Sequence, residues 1–181
     1  EINKKIVFKI DGYTFNPSLF RKLEVKNYVD FCKKILNKCS NKPVSLEVFA
    51  DDEKNMFKQA IFLSKLSKNV YVKIPISYTN GRSTINLIKK LVRHNIRLNI
   101  TAIFTLNQIK QIIKVIKNSR CILSIFAGRI YDCGIDGYSE MQKINKYIKK
   151  NSNCMSLWAS CRMPYDIVNA VKAKTDIITM G

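Results

Sequence analysis

One histidine, one tryptophan, four prolines and six glycines are all that the 181 residues contain of these types. No Pro/Gly/Ser-rich linker or low-complexity tract divides the chain, and 46% hydrophobic with 10% aromatic residues excludes disorder as its main state. Residues 1–181 are read as a single domain. No apolar run reaches the roughly 18 residues that a membrane span needs, and Glu1 to Ile10 alternates Lys with Ile and Val where a signal peptide would have an apolar core. The six cysteines (Cys32, Cys39, Cys121, Cys133, Cys154, Cys161) form no Cys-x-x-Cys pair, and His94 alone leaves few partners for a metal site. A cytoplasmic protein with reduced thiols, no metal and no membrane contact is expected. Acidic residues are scarce: 13 Asp and Glu against 32 Lys and Arg leave a net charge of +19, which raises nucleic acid or an anionic surface as a partner. The first residue is Glu, not Met, and the last follows an apolar strand-like run, so a longer sequence is expected at both ends.

Short apolar runs alternate with longer amphipathic stretches. Strands are expected at Gly12–Phe15, Val44–Phe49, Val70–Ile74, Leu98–Phe104, Ile122–Phe126, Met155–Ala159 and Asp176–Met180. Helices are expected at Asn27–Asn37, Asp52–Leu66, Ser83–Arg93, Leu106–Lys117, Tyr138–Lys149 and Pro164–Ala173. Such βα alternation implies a parallel α/β sheet, doubly wound or closed into a (β/α)8 TIM barrel. The helices account for the charge: Ile109, Ile112, Ile113 and Ile116 form one stripe, with Lys110, Lys114 and Lys117 on the other side. These are ordinary solvated faces, so nucleic acid is not the expected partner.

Residues two apart on a strand share a face, and the polar strand residues fall in step. Ser45 pairs with Glu47, Tyr71 with Lys73, Asn99 with Thr101, Thr14 with Asn16, Ser124 with Phe126, and Ser160 with Arg162. Six successive strands therefore carry polar side chains on one face. A helix-covered sheet can hold them only in an interior cavity, which a barrel lumen supplies. Separations of about 25–30 residues fit one βα unit each, and the mouth at the strands' C-terminal ends is the expected site.

Lys73 is the most informative residue. A lysine within a β-branched strand is costly to bury charged, and a neutral amine is a nucleophile that can form a Schiff base with a ketone. The alternative is an edge lysine that keeps a sheet edge wet. Glu47, one unit earlier, can move protons through a water held by Thr101, or can simply pair with Lys73 as a buried salt bridge. Arg129 and Arg162 follow consecutive strands, where guanidinium groups could grip one phosphate; either alone could be an ordinary surface residue. His94 belongs at a helix C-terminus, the YDCGIDG segment Tyr131–Gly137 reads as a turn, and Cys161 as packing.

The segments DGYTFNPSL, SLEVFADD, VYVKIPI, LNITAIFT, LSIFAGRIYDCG and LWASCR, in this order, resemble the transaldolase and fructose-6-phosphate aldolase family across nearly the whole chain. The resemblance implies a class I aldolase (β/α)8 barrel, acting on sugar phosphates without a cofactor. It makes Lys73 the Schiff-base lysine, Glu47 the proton-transferring carboxylate and Thr101 the residue that positions water. It implies that Thr14, Asn16 and Asn99 meet substrate hydroxyls or the intermediate, and that Ser124, Arg129, Ser160 and Arg162 hold the phosphate end. Glu47, Asn99 and Phe126 are closer to transaldolases than to the aldolases, which carry Gln and Tyr in place of Glu47 and Phe126. Release of free dihydroxyacetone is the enzymatic alternative; a degenerate barrel that binds anionic sugars or nucleic acid is the non-enzymatic one. Two departures stand out. Strand 1 and its aspartate are not visible, since the residues before Asp11 read as the end of a helix, and the last helix is absent after Gly181. Phe15 replaces the second Thr of the usual Thr-Thr-Asn-Pro, and its bulk is expected to bear on substrate choice. The C-terminal region of small relatives contributes to subunit assembly, so a homo-oligomer is expected.

Overall fold

The computed structural model describes residues 10–39, 41–116 and 118–181. Strands and helices alternate from β1 (Tyr13–Thr14) through α1 (Pro17–Lys22), α2 (Tyr28–Lys38), β2 (Val44–Glu47), α3 (Glu53–Ser64), β3 (Val70–Pro75) and α4 (Ile85–Arg93). They continue through β4 (Leu98–Ile103), α5 (Leu106–Ile116), β5 (Ile122–Ile125), α6 (Ala127–Asp132), α7 (Gly137–Asn151), β6 (Met155–Trp158), α8 (Asp166–Lys172) and β7 (Ile177–Ile178). All seven expected strands and all six expected helices are present, most with ends trimmed by one or two residues, while β3, α2 and α7 run one or two residues further than expected. The expected helix end before Asp11 lies almost wholly in residues 1–9, outside the described residues.

Three of the helices, α2, α3 and α7, begin where short polar side chains can take up their first amides. Asn27 accepts from Val29 and Asp30, Asp52 from Asn55, and Asp136 from Tyr138 and Ser139. Two short helices, α1 and α6, were not expected. Each follows directly on a strand and spans six residues, too few for a periodic apolar stripe to register in the sequence.

The seven strands lie in the order β1-β2-β3-β4-β5-β6-β7, every neighbouring pair parallel. Right-handed crossovers that always advance in one direction put every helix on the same face of the sheet. A doubly wound sheet reverses direction at a switch point, and none occurs here. The fold is thus of (β/α)-barrel type, with one face lined by helices and the other turned inward.

The two faces carry different residues. Toward the helices, Leu46, Val72, Ile74, Leu98, Ile100, Leu123, Ile125 and Trp158 pack against Met56, Leu63, Leu87, Leu91, Ile109 and Ile112 in one continuous core. On the other face Ile122, Leu157 and Ala159 form a small separate cluster with Tyr71, Phe126, Met155 and Ile177. This apolar wall stands beside buried Ser45, Lys73, Asn99, Thr101 and Ser124. The polar face is therefore real on β2 to β5. On β6 it is corrected: Leu157 and Ala159 face inward, and Ser160 and Arg162 lie beyond the strand's end.

Phe15 lies off the inward face. Its ring stacks on Phe20 at 5.9 Å, within an aromatic group that includes Tyr28, Phe31 and Phe49. Being one residue out of step with Thr14 and Asn16, it packs toward the helices, away from the face that carries Lys73.

Candidate active site

Parallel register brings the central pair together. Glu47 is the direct neighbour of Lys73 across β2 and β3, and Lys73 that of Asn99 across β3 and β4. Lys73 Nζ lies 3.0 Å from Glu47 Oε2, with side chains only 9% and 14% exposed. Lys73 is thus on an interior strand, with β2 on one side and β4 on the other, which disposes of the edge-lysine alternative. Tyr28, reaching across from α2, donates its hydroxyl to the Glu47 carbonyl at 2.9 Å and so ties down the end of β2.

Beside the ion pair runs a buried amide and hydroxyl chain. Ser124 donates to Asn99 Oδ1 at 2.6 Å, and Asn99 Nδ2 donates to Ser45 Oγ at 3.0 Å. The chain spans β5, β4 and β2, passing over the Lys73 strand. Thr101, two residues along from Asn99, is 2% exposed, and its hydroxyl has no hydrogen-bond partner among the described residues. Buried hydroxyls are almost always satisfied, so this one is available to a water or a substrate oxygen. Directly after it Ala102 adopts a left-handed φ of 57°, where the register between β4 and β5 shifts. A non-glycine residue there costs on the order of 1–2 kcal/mol, the kind of local strain that collects at functional sites.

The remaining expected residues are arranged less closely. Asn16 is the N-cap of α1: its Oδ1 accepts from Leu19 at 2.8 Å, which leaves the carboxamide nitrogen for a ligand. Thr14, half-buried on β1, pairs in register with Ser45. Phe126 joins the inward apolar wall and meets Phe104 edge-on at 5.6 Å. Arg129 is exposed, its guanidinium carbon 5.9 Å from the Phe126 ring centre. Ser160 turns the chain off β6 with a left-handed φ of 61°. Arg162 makes a two-point ion pair with Asp132, Nε to Oδ1 at 3.0 Å and Nη2 to Oδ2.

Gly128 permits this corner. A Cβ there would stand 1.6 Å from the Ser160 carbonyl oxygen, so α6 can dock on the end of β6 only through a glycine. Buried Asp166 completes the corner by accepting from the Arg162 and Met163 amides at 2.7 and 3.2 Å. Burial pushes the Cys161 thiol up to about 11, in keeping with a packing residue. His94 caps α4, with Nδ1 2.9 Å from the Lys90 carbonyl. Among the described residues no group of three or more His, Cys, Asp or Glu is gathered as a metal site, and no helix is long and apolar enough to cross a membrane.

Ser45, Asp132 and Asp166 were not among the expected site residues. Ser45 shares a strand face with Glu47, and that parity alone would have found it. The two aspartates act on partners that only the folded chain reveals.

A family profile described as Transaldolase/Fructose-6-phosphate aldolase matches residues 1–181. A "Probable transaldolase" of Sulfurihydrogenibium sp. (strain YO3AOP1) is 34% identical over 173 residues, covering 94% of this chain and 75% of the relative. One of Methanococcus maripaludis (strain C7 / ATCC BAA-1331) is 33% identical over 174 residues, covering 94% and 76%. Among solved structures, a mandelate oxidase with a monooxide FMN adduct superimposes with a TM-score of 0.54 at 10% identity, over 77% of this chain and 48% of that one. At that identity the likeness is one of fold alone; the chain spans about half the length of that structure.

Proposed function

The chain belongs to the transaldolase/fructose-6-phosphate aldolase family, and on that premise we propose that it transfers a dihydroxyacetone unit from a ketose phosphate to an aldose phosphate through a Schiff base on Lys73. Sedoheptulose 7-phosphate and fructose 6-phosphate are the donors of this scheme. The observation that carries the reading is the buried Lys73–Glu47 contact of 3.0 Å, beside the unpartnered Thr101 hydroxyl.

Glu47 is within one hydrogen bond of the amine and can take its proton, which frees the nitrogen lone pair. The amine adds to the C2 ketone, and the carbinolamine loses water to give a protonated imine. Glu47 supplies a proton to the departing hydroxyl through a water that Thr101 orients. Scission of C3–C4 sends the bonding pair into the imine and releases an aldehyde, the C4 hydroxyl proton passing to the Glu47 carboxylate, again through the water. The resulting enamine then attacks the carbonyl of the acceptor aldose phosphate, whose oxygen takes that proton back, and hydrolysis of the new imine releases the product ketose phosphate and returns Lys73. The Ser45–Asn99–Ser124 chain holds the Asn99 amide beside the lysine strand, and Arg129 and Arg162 take the phosphate end.

Borohydride added with fructose 6-phosphate tests this reading. The expected result is a reduced three-carbon adduct on Lys73, located by peptide mass spectrometry, and none in Lys73→Arg, whose guanidinium stays charged. Undiminished labelling in that variant would rule out Lys73 as the imine-forming residue.

A further inference from the structure

The two proposed phosphate arginines share a neighbour that the reaction scheme does not use. Asp132 ends α6 and grips Arg162, which lies thirty residues further along, by Nε and Nη2 together. The same carboxylate feels Arg129, and the Arg162 hydrogen bond in particular holds it below the usual carboxylate range. Both partners are exposed, at 40% and 49% of their side chains. Exposed ion pairs contribute little to stability, so the pair's importance lies in what it does to the arginine.

A guanidinium carries five N–H donors in a rigid fork. Side-on pairing through Nε and Nη2 uses one donor of each. The remaining Nη2 hydrogen and one on Nη1 form an end-on fork whose spacing matches two oxygens of a phosphate. The rest of Arg162 is held as firmly. Its amide is taken by buried Asp166, and the left-handed turn at Ser160 seats against Gly128, where a Cβ would not fit. Backbone and charged group are thus fixed separately, by two different carboxylates.

We propose that Asp132 is the positioning residue of the phosphate subsite: it clamps Arg162 side-on, so that the free end of the guanidinium meets the phosphate ester of the sugar. The inference rests on the reading of Arg129 and Arg162 as phosphate ligands. Without the clamp the arginine keeps its charge but must be ordered by the ligand itself, which weakens binding of the phosphorylated end alone.

The test compares Asp132→Ala, Arg162→Ala and the double variant of the full chain. The readouts are KM for fructose 6-phosphate, the inhibition constant of inorganic phosphate, and kcat/KM for unphosphorylated fructose. Asp132→Ala is expected to raise the first two about tenfold, the loss of one well-formed charged contact, with kcat/KM for fructose within about twofold. In the Arg162→Ala background the same change should add less than about twofold, because the residue acts only through that arginine. A lowered KM would mean that the carboxylate competes with phosphate; unchanged constants, or equal losses in both backgrounds, would mean that Arg162 is oriented without it. Each of these overturns the clamp, as does an equal loss toward fructose. If Arg162→Ala itself leaves both phosphate readouts unchanged, the arginine assignment fails. If Arg162→Ala raises them and Asp132→Ala does not, the clamp alone fails.

Discussion

The Ser124 hydroxyl donates to the Asn99 carboxamide oxygen at 2.6 Å, and this contact decides that the amide nitrogen faces Ser45. All three residues are buried, so each hydrogen bond is made away from competing water. Replacing Asn99 by the similarly sized Leu leaves two hydroxyls without their partner. Each is expected to cost about 1–3 kcal/mol, read as a lowered urea midpoint at unchanged m. A midpoint equal to the parent's would show that the hydroxyls find other partners.

Lys73 and Glu47 allow stability to be separated from chemistry. Lys73→Met alone strands a nearly buried carboxylate and should destabilise by about 3–5 kcal/mol. Adding Glu47→Leu should restore most of that loss, since an apolar pair of similar volume can replace a buried ion pair. Turnover should remain absent in both. Chemical denaturation checks the first expectation, and activity in the double variant would contradict the second.

Thr101→Val removes a hydroxyl that bonds to nothing else among the described residues. The shape of the side chain is kept and no protein hydrogen bond is lost, so the unfolding midpoint should stay within the scatter of replicate curves. The kcat of transfer should fall about 10²-fold or more, as expected for a lost proton-transfer step. A stability loss with intact turnover would make the threonine structural.

Phe126 sits in the apolar wall with Ile122, Leu157 and Ala159. Phe126→Tyr brings a hydroxyl to the edge of this wall, near the enamine of the proposed scheme. Protonation by that hydroxyl should shift product from transferred to free dihydroxyacetone. An unchanged ratio of the two, measured by product analysis, would remove the residue from the choice between transfer and release.

Asp136 gives a pH-dependent signature remote from the chemistry. Its carboxylate caps α7, and hydrogen bonds from Ser139, first its hydroxyl and then its amide, hold it below the usual carboxylate range. A depressed folded-state value means that the stabilisation is complete above about pH 4, the ordinary unfolded value, and is lost as pH falls through the lower folded one. Asp136→Ala should therefore lower Tm by about 2–4 °C at pH 7, and the gap should narrow below pH 4. A gap independent of pH would assign the effect to helix propensity in place of the cap.

Alternation of β-branched runs with amphipathic stretches was enough to place every major element, because burial imposes periods of 2 and 3.6 on the chain. The same parity aligned Glu47, Lys73, Asn99, Thr101 and Ser124, and their coming together follows from parallel pairing in sequential order. Legibility ended where the chain leaves the strands. Ser160 and Arg162 were read as sharing the inward face, yet that face of β6 carries Leu157 and Ala159, the strand ends at Trp158, and a left-handed Ser160 then turns the chain. The contact between Arg162 and Asp132 crosses thirty residues, one helix and one strand, and no local pattern encodes it. Ala102 carries a positive φ with no glycine or asparagine to announce it. Asn16 shows the opposite limit: its capping role was implicit in Asn-Pro before a helix, but with α1 too short to be seen there was nothing for it to cap.

The Glu47–Lys73 contact joins neighbouring parallel strands, so it cannot arise from a hairpin; the whole α3 crossover has to be laid down first. During synthesis Glu47 and α3 precede Lys73, whereas β4, which flanks the lysine strand on its other side, follows it. The surroundings of the proposed nucleophile are thus complete only once a strand that follows it in the chain has paired.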